Sequence, residues 1–253
     1  MSVTVGTLAF DAVDPHLRGR FGKPYLFEPK CESTQALLFE PGLPEGAVAA
    51  TDHQTAGRGR LGRRWEAPPG SSVLASVLLH PPPARHWPEL ALLGGVAAAE
   101  AIEGATELSA QVKWPNDVML DRRKVAGVLA ESRGGVIVVG IGINVNQTRS
   151  ELPFDSPTEP GSLRTVTGHE HDIAALLGSL LFRLERLYDV WRHGGLGEIY
   201  VELGSRNFLF GRRVRVDGRA GTGGVIGRDA RLEVHLDGGD LVHVESGEVE
   251  FER

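Results

Sequence analysis

The 253-residue sequence predicts an α+β protein: a mixed β-sheet covered by helices, followed by a small all-β unit. Three observations predict it. Short runs rich in Val, Leu and Ile at 47–51, 72–79 and 136–143 have the length of strands buried within a sheet. Between 172 and 191, apolar residues at Ile173, Leu176, Leu177, Leu180, Leu181, Leu184, Leu187, Tyr188 and Trp191 recur at helical spacing up to Gly194, so a helix there covers one face of the sheet. Beyond Phe208 the texture changes to short alternating strands at 213–216, 232–236, 241–244 and 249–251, with Asp237, Gly238 and Gly239 as a turn. The expected division is a main domain over 1–207 and a β-barrel-like domain over 208–253.

Smaller elements follow from local signals. Ser33 and Thr34 precede a helical run that Pro41 must stop, an N-cap pattern whose free backbone N–H groups favour an anion. A second helix is expected at 88–102, between the strands. A short strand ends at Trp114 and Pro115, and another begins at Lys124 and Val125 after a turn. The stretch 151–161, with three prolines and three acidic residues, reads as a mobile loop.

Composition narrows the function. Hydrophobic residues make up 41% and charged residues 24% of the chain, enough for one sizeable core and a satellite. The net charge of −6 gives no overall basic field for nucleic acid or an anionic membrane, so any anion must be gripped locally. One cysteine, Cys31, forms no internal disulfide and has no histidine beside it in sequence to activate it; it reads as structural. A reducing, cytoplasmic setting is expected, with no export signal in the first twenty residues and no apolar run of membrane-spanning length. The nine histidines show no metal-ligand spacing, so no metal site made of protein side chains is expected.

Four blocks carry the chemistry. The first is Glu32, Ser33, Thr34, Gln35. The second, Gln54 to Trp65, holds Gly57, Gly59 and Gly62 among Arg58, Arg60, Arg63 and Arg64. Glycines allow close backbone approach and arginine forks suit phosphate and carboxylate. The glycine spacing also fits a dinucleotide fingerprint, but Pro68, Pro69 and Gly70 deny it the helix that motif requires, and a solvated basic loop is the other reading. The third, Lys113, Trp114, Pro115, Asn116, Asp117, presents an amide and a carboxylate in a turn: either a local backbone cap, or an amide clamp on nucleotide with a carboxylate for magnesium or an amine. The fourth joins Lys124, Val125, Ala126, Gly127 to Gly140, Ile141, Gly142, Ile143, Asn144. A strand-end lysine is commonly surface; pointed into a pocket it neutralises a carboxylate and phosphate brought together.

In this order, the blocks resemble the biotin protein ligase family over roughly 31–250, a fold similar to class II synthetases with an SH3-like C-terminal domain, whose closing strand Ser246 to Val249 resembles. The resemblance implies an ATP-dependent enzyme that makes biotinyl-5′-AMP and passes biotin to a lysine of a biotin carboxyl carrier protein of acetyl-CoA or a related carboxylase. It implies biotin and ATP as substrates, with Mg²⁺. Ser33, Thr34, Gln35 and Gln54 would hold the biotin rings, with Gly57, Gly59, Gly127 and Gly140 beside them. Arg58 and Arg60 would touch the mixed anhydride and Lys124 the biotin carboxylate. Arg63, Asn116, Asp117 and Asn144 would lie at nucleotide or metal, and Trp65 would wall the adenine side. Lys124, Arg58 and Asp117 are the expected catalytic residues. About thirty residues precede Glu32, fewer than a helix-turn-helix domain with its linker requires, so the resemblance implies a ligase that does not bind DNA. A lipoate protein ligase and a non-catalytic biotin-responsive DNA-binding regulator are the alternatives. A homodimer is left open.

Overall fold

The structure is a computed structural model that describes residues 6–154 and 157–252. Its larger sheet uses β1 (Tyr25–Glu28), β2 (Val48–Thr51), β3 (Ser72–Leu79), β4 (Ala110–Lys113), β5 (Asp117–Leu120), β6 (Arg123–Arg133) and β7 (Val136–Asn144). They lie in the order β1-β2-β3-β7-β6-β5-β4. Only the β1–β2 pair is parallel, so the sheet is mixed. Around it run α1 (Phe10–Val13), α2 (Thr34–Leu38), α3 (Leu90–Thr106), α4 (Leu163–Thr167), α5 (Ile173–Gly194) and α6 (Tyr200–Ser205). A second, antiparallel sheet contains β8 (Arg213–Val216), β9 (Arg219–Ile226), β10 (Leu232–Leu236), β11 (Leu241–Val244) and β12 (Glu250–Phe251), ordered β11-β10-β9-β8-β12.

The apolar stripe expected between 172 and 191 forms α5, and every residue of that stripe is buried. Asp172 caps it, accepting a hydrogen bond from the Ala175 N–H at 3.0 Å, worth about 1 kcal/mol. Gly195, at φ 75°, ends it. α5 lies beside α3, and Glu100 of α3, almost fully buried, receives both Arg183 and Arg186 of α5. A buried carboxylate held by two guanidiniums fixes the register of the helix pair. α3 itself starts at Leu90 because Trp87–Glu89 forms a 3-10 turn first.

Side chains alternate across each strand, so the sheet has two unlike faces. Val73, Ala75, Val77 and Leu79 of β3 and Ile137, Val139, Ile141 and Ile143 of β7 pack in the core with α3 and α5. The intervening positions, Ser76 on β3 and Gly140 and Gly142 on β7, line a cleft on the other face. There α2 and a small cluster of Leu38, Ala47, Ala49, Leu78 and Val138 close one end.

Two local expectations change. Ser33 occupies the N-cap position of α2, yet its hydroxyl makes no capping bond; the Gln54 side-chain carbonyl instead accepts from the Thr34 N–H at 2.9 Å. That helix end is therefore filled by protein rather than open to an anion. The loop expected at 151–161 begins with a 3-10 turn, and its end is tied to β6 by Lys124 N–H to Glu159 C=O (2.8 Å) and Gly161 N–H to Lys124 C=O (2.9 Å). The middle of that loop, Asp155 and Ser156, lies outside the described residues. Among the described residues no helix is long and apolar enough to cross a membrane.

Candidate active site

The floor of the cleft is two rows of residues aligned by strand register. One row crosses β4, β5, β6 and β7 as Lys113, Asp117, Gly127 and Gly142. The other crosses β6, β7, β3 and β2 as Leu129, Gly140, Ser76 and Ala49. Glycines at Gly127, Gly142 and Gly140 lower the floor of the cleft, with Lys113 and Asp117 at one end of the first row and Ser76 beside Gly140 in the second. The Ser76 hydroxyl meets Thr34 Oγ1 at 2.7 Å, both buried, and Gln35 lies over Gly140 with its amide donating to the Leu129 carbonyl at 3.0 Å.

Lys124 reaches this face because of a bulge. The β5–β6 register shifts between Val118 and Met119, whose partners are Ala126 and Lys124, leaving Val125 unpaired on β6. A one-residue bulge reverses the alternation beyond it and re-aims a side chain. The Lys124 ammonium accordingly comes to the face of Gly127 and pairs with Asp117 at 2.6 Å. Both partners are mostly shielded from water.

The arginine-rich segment is a hairpin. Arg58 and Arg64 form a bridge, Gly59 N–H donates to Arg63 C=O at 2.8 Å, and Trp65 N–H to Gly57 C=O at 3.0 Å. A Cβ on Gly57 would sit 2.4 Å from the Trp65 carbonyl, so only glycine closes the turn this tightly. Trp65 then lays its indole over the floor glycines: a Cβ on Gly142 would lie 2.5 Å from the ring. Its indole N–H is buried and has no partner among the described residues. Arg58 pairs with Glu131 of β6 at 2.7 Å, Arg60 donates to Asn116 Oδ1 at 3.1 Å, and Arg63 grips Glu248 in the loop between β11 and β12. The hairpin is thus tied to the larger sheet and to the loop that leads into β12.

Six cationic side chains (Arg58, Arg60, Arg63, Arg64, Lys113 and Lys124) and three carboxylates (Glu66, Asp117 and Glu248) line the cleft. A protein of net charge −6 therefore carries a locally positive groove. Burial lowers the pKa of the Arg60 guanidinium and of the Lys113 ammonium. Both cations are held at a desolvation cost that an anion would offset. The Arg63 hydrogen bonds hold the Glu248 carboxyl below its usual range.

Every candidate from the sequence lines this cleft except Gly57, which sits behind it in the hairpin. Some face protein. Asn144 accepts from the Gln147 amide (3.0 Å) and donates to the Gly161 carbonyl (3.0 Å), so both ends of its amide are engaged. Asn116 donates to Val128 C=O at 3.0 Å while orienting Arg60. Residues given no role from sequence also line the cleft: Ser76, Lys113 and Glu248. Ser76 was detectable as the only polar residue inside the apolar β3 run after Ser72; the others had no signal beyond neighbouring motifs. Cys31 is half-buried, and burial raises its thiol pKa, which disfavours the nucleophilic thiolate.

A helix-backed mixed sheet whose opposite face carries a glycine-floored, cation-rich cleft defines an enzyme-type domain for small anionic ligands. The model of the biotin/lipoate A/B protein ligase family matches residues 28–147, a span that holds all the candidate residues. This chain belongs to that family: it is 33% identical over 215 residues to the biotin--[acetyl-CoA-carboxylase] ligase of Mycobacterium tuberculosis, 81% of this chain and 79% of that one. It is 34% identical over 183 residues to the bifunctional ligase/repressor BirA of Bacillus spizizenii, and the match spans 68% of this chain but 56% of that relative. The structure superposes on the biotin protein ligase from Aquifex aeolicus in complex with biotin and ATP with a TM-score of 0.80 at 30% identity, covering 91% of this chain and 99% of that one.

Proposed function

We propose that this protein activates biotin with ATP to biotinyl-5′-AMP and transfers the biotin to a lysine of a biotin carboxyl carrier protein, the carrier belonging to acetyl-CoA or a related carboxylase. The observation that carries the reading is the polarity of the groove. Neutral hydrogen-bonding groups (Ser33, Thr34, Gln35, Ser76) gather at one end and cations (Lys113, Lys124, Arg60) at the other, with glycines in the floor between. A ligand with a neutral polar ring system and an acid tail that meets a nucleotide phosphate fits that order.

In the first step a biotin carboxylate oxygen attacks the α-phosphorus, and the bond to the β-phosphate oxygen breaks, its electron pair leaving with pyrophosphate. Negative charge gathers where the two anions meet, and Lys124 neutralises it, released from Asp117 toward the phosphoryl oxygens. Arg58 and Arg60 close over the anhydride, and Trp65 walls the nucleotide and excludes water. In the second step the neutral amine of the carrier lysine attacks the acyl carbon, the acyl–oxygen bond breaks with its electron pair leaving on AMP, and the surplus proton on nitrogen passes to the Asp117 carboxylate. Asp117, once Lys124 has moved to phosphate, holds that amine.

Among the described residues no group of three or more His, Cys, Asp or Glu side chains could hold a metal. Asp117 and Glu248 already pair with cations, so the residues fit a magnesium ion carried in on the triphosphate, with Asp117 its protein contact. Bound there, magnesium would neutralise phosphate charge.

The test is mass spectrometry of a carrier domain after incubation with this protein, biotin and magnesium ATP, with lipoate in a parallel tube. One added biotin is expected; lipoate addition without biotin addition would replace the reading by lipoate ligation. The same reading expects no sequence-selective binding to duplex DNA, whose phosphates the net charge of −6 repels. A salt-sensitive, sequence-selective gel shift would overturn that. Sedimentation with and without biotin and ATP decides whether it acts as a homodimer.

A further inference from the structure

Lys113 closes β4 at the outer end of the floor row, directly opposite Asp117. It is 4% exposed and lines the cleft. Among the described residues its ammonium has no hydrogen bond and no ion pair. The two carboxylates that act on it have closer partners: Asp117 holds Lys124 at 2.6 Å and Glu248 holds Arg63. What stands near the Lys113 ammonium is the Phe251 ring of the second sheet, with its centroid 5.9 Å away. A largely buried ammonium without a direct partner is disfavoured, since two carboxylates engaged elsewhere offset its desolvation only in part.

The missing partner is an anion, and position says which one. Lys124 lies beside Gly127 and 6.0 Å from the Trp65 ring, over the middle of the groove. Lys113 belongs to the strand two places out from Gly127 in the row, roughly 10 Å further at the usual strand spacing, on the side of Phe251 and Glu248. One cation serves the point where carboxylate meets α-phosphate. The other stands where a phosphate chain running outward from that point would lie. We propose that Lys113 binds the β- and γ-phosphates of the bound nucleoside triphosphate and stabilises pyrophosphate as it departs. This rests on the adenylation reading above. When the α–β bridging bond breaks, its electron pair goes to the pyrophosphate oxygen beside Lys113, so the ammonium is worth more as the charge develops. Lys113 has no task in the second step, because pyrophosphate has left.

The experiment uses the full chain with Lys113→Met and Lys113→Arg. It measures ATP–pyrophosphate exchange, transfer from preformed biotinyl-5′-AMP to a carrier domain, and the melting shift caused by added magnesium pyrophosphate. Lys113→Met is expected to lower exchange by about tenfold or more, raise KM for ATP and abolish the pyrophosphate shift. Transfer from the preformed adenylate is expected to stay within about twofold of wild type, and Lys113→Arg to keep part of the exchange. An unchanged KM and an unchanged pyrophosphate shift would overturn the assignment. So would a parallel loss in transfer, which marks a structural role. If wild type fails to transfer from the adenylate, the biotin reading fails, while the pyrophosphate shift still decides Lys113. Should Lys113→Met not fold, the shift measured in Lys113→Arg decides it.

Discussion

On the face of the seven-stranded sheet turned toward α3 and α5, the strands present Val, Ile and Leu with no space between them. On the other face the same strands present Ser76, Gly127, Gly140 and Gly142. The first face gains stability from the area it removes from water; the second gives that up to hold a groove with paired charges at its edge. One alternating sequence serves both because each residue of a strand belongs to one face only. A change on one face should therefore move stability and a change on the other should move chemistry, and the expected separation can be broken by experiment.

The largest effect is expected on the covered face. Leu184→Ala, at a fully buried position on α5, should lower unfolding free energy by about 2–5 kcal/mol with little change in kcat, measured by urea denaturation and steady-state kinetics. An equal loss of kcat at temperatures where the variant is folded would break the separation. Next comes Lys124→Gln, expected to slow ATP–pyrophosphate exchange on the order of 100-fold or more, about 2.7 kcal/mol of transition-state stabilisation. Because it strands the shielded Asp117 carboxylate, the double variant Lys124→Gln with Asp117→Asn should recover any lost melting temperature but not the rate. Near-wild-type exchange from folded Lys124→Gln would remove it from the reaction.

Gly142→Ala sharpens the comparison on the open face. The new methyl meets the Trp65 indole, so the ring must shift, and KM for ATP should rise on the order of tenfold while melting changes little. An unchanged KM would mean the indole does not border the nucleotide. The smallest effect concerns the partly exposed Arg63–Glu248 pair, worth about 0–1 kcal/mol. Its carboxylate is depressed by the guanidinium, so the contribution is present above the ordinary carboxylate range and fades as pH falls through and below it. Cleavage by an acid-active protease between Gly57 and Arg64 should therefore become faster on acidification in wild type, and be fast at every pH in Glu248→Gln.

How much of this was legible follows the same division. α5 was readable because burial on one side writes a helical period into the sequence, and β3 and β7 because deep burial leaves short apolar runs. β9 was not: Gly221, Gly223 and Gly224 weaken the strand signal, yet each would crowd backbone or side-chain atoms of its neighbours if given a Cβ, so they mark close packing in a strand. The motif residues converge on one cleft, but their partners were hidden. Ion pairs such as Arg63 with Glu248 join positions far apart in sequence, and the bulge that turns Lys124 inward exists only in the register of two strands. Glycines read as making room for a ligand make room first for protein: Trp65 over Gly127 and Gly142, Gln35 over Gly140.

The carboxylates tied to the cleft cations have one more consequence. Arg58, Arg63 and Lys124 are each already occupied, by Glu131, Glu248 and Asp117. At these three cations an entering polyphosphate does not meet bare positive charge, as it would at Lys113; it trades places with resident counter-ions, as in an ion exchanger. Added salt weakens the contacts that are given up as well as those that are formed, so ATP affinity should fall less steeply with ionic strength than a groove of six cations would otherwise require. In the proposed reaction the waiting carboxylates would recapture their cations as pyrophosphate leaves, so removing one of them should slow product release.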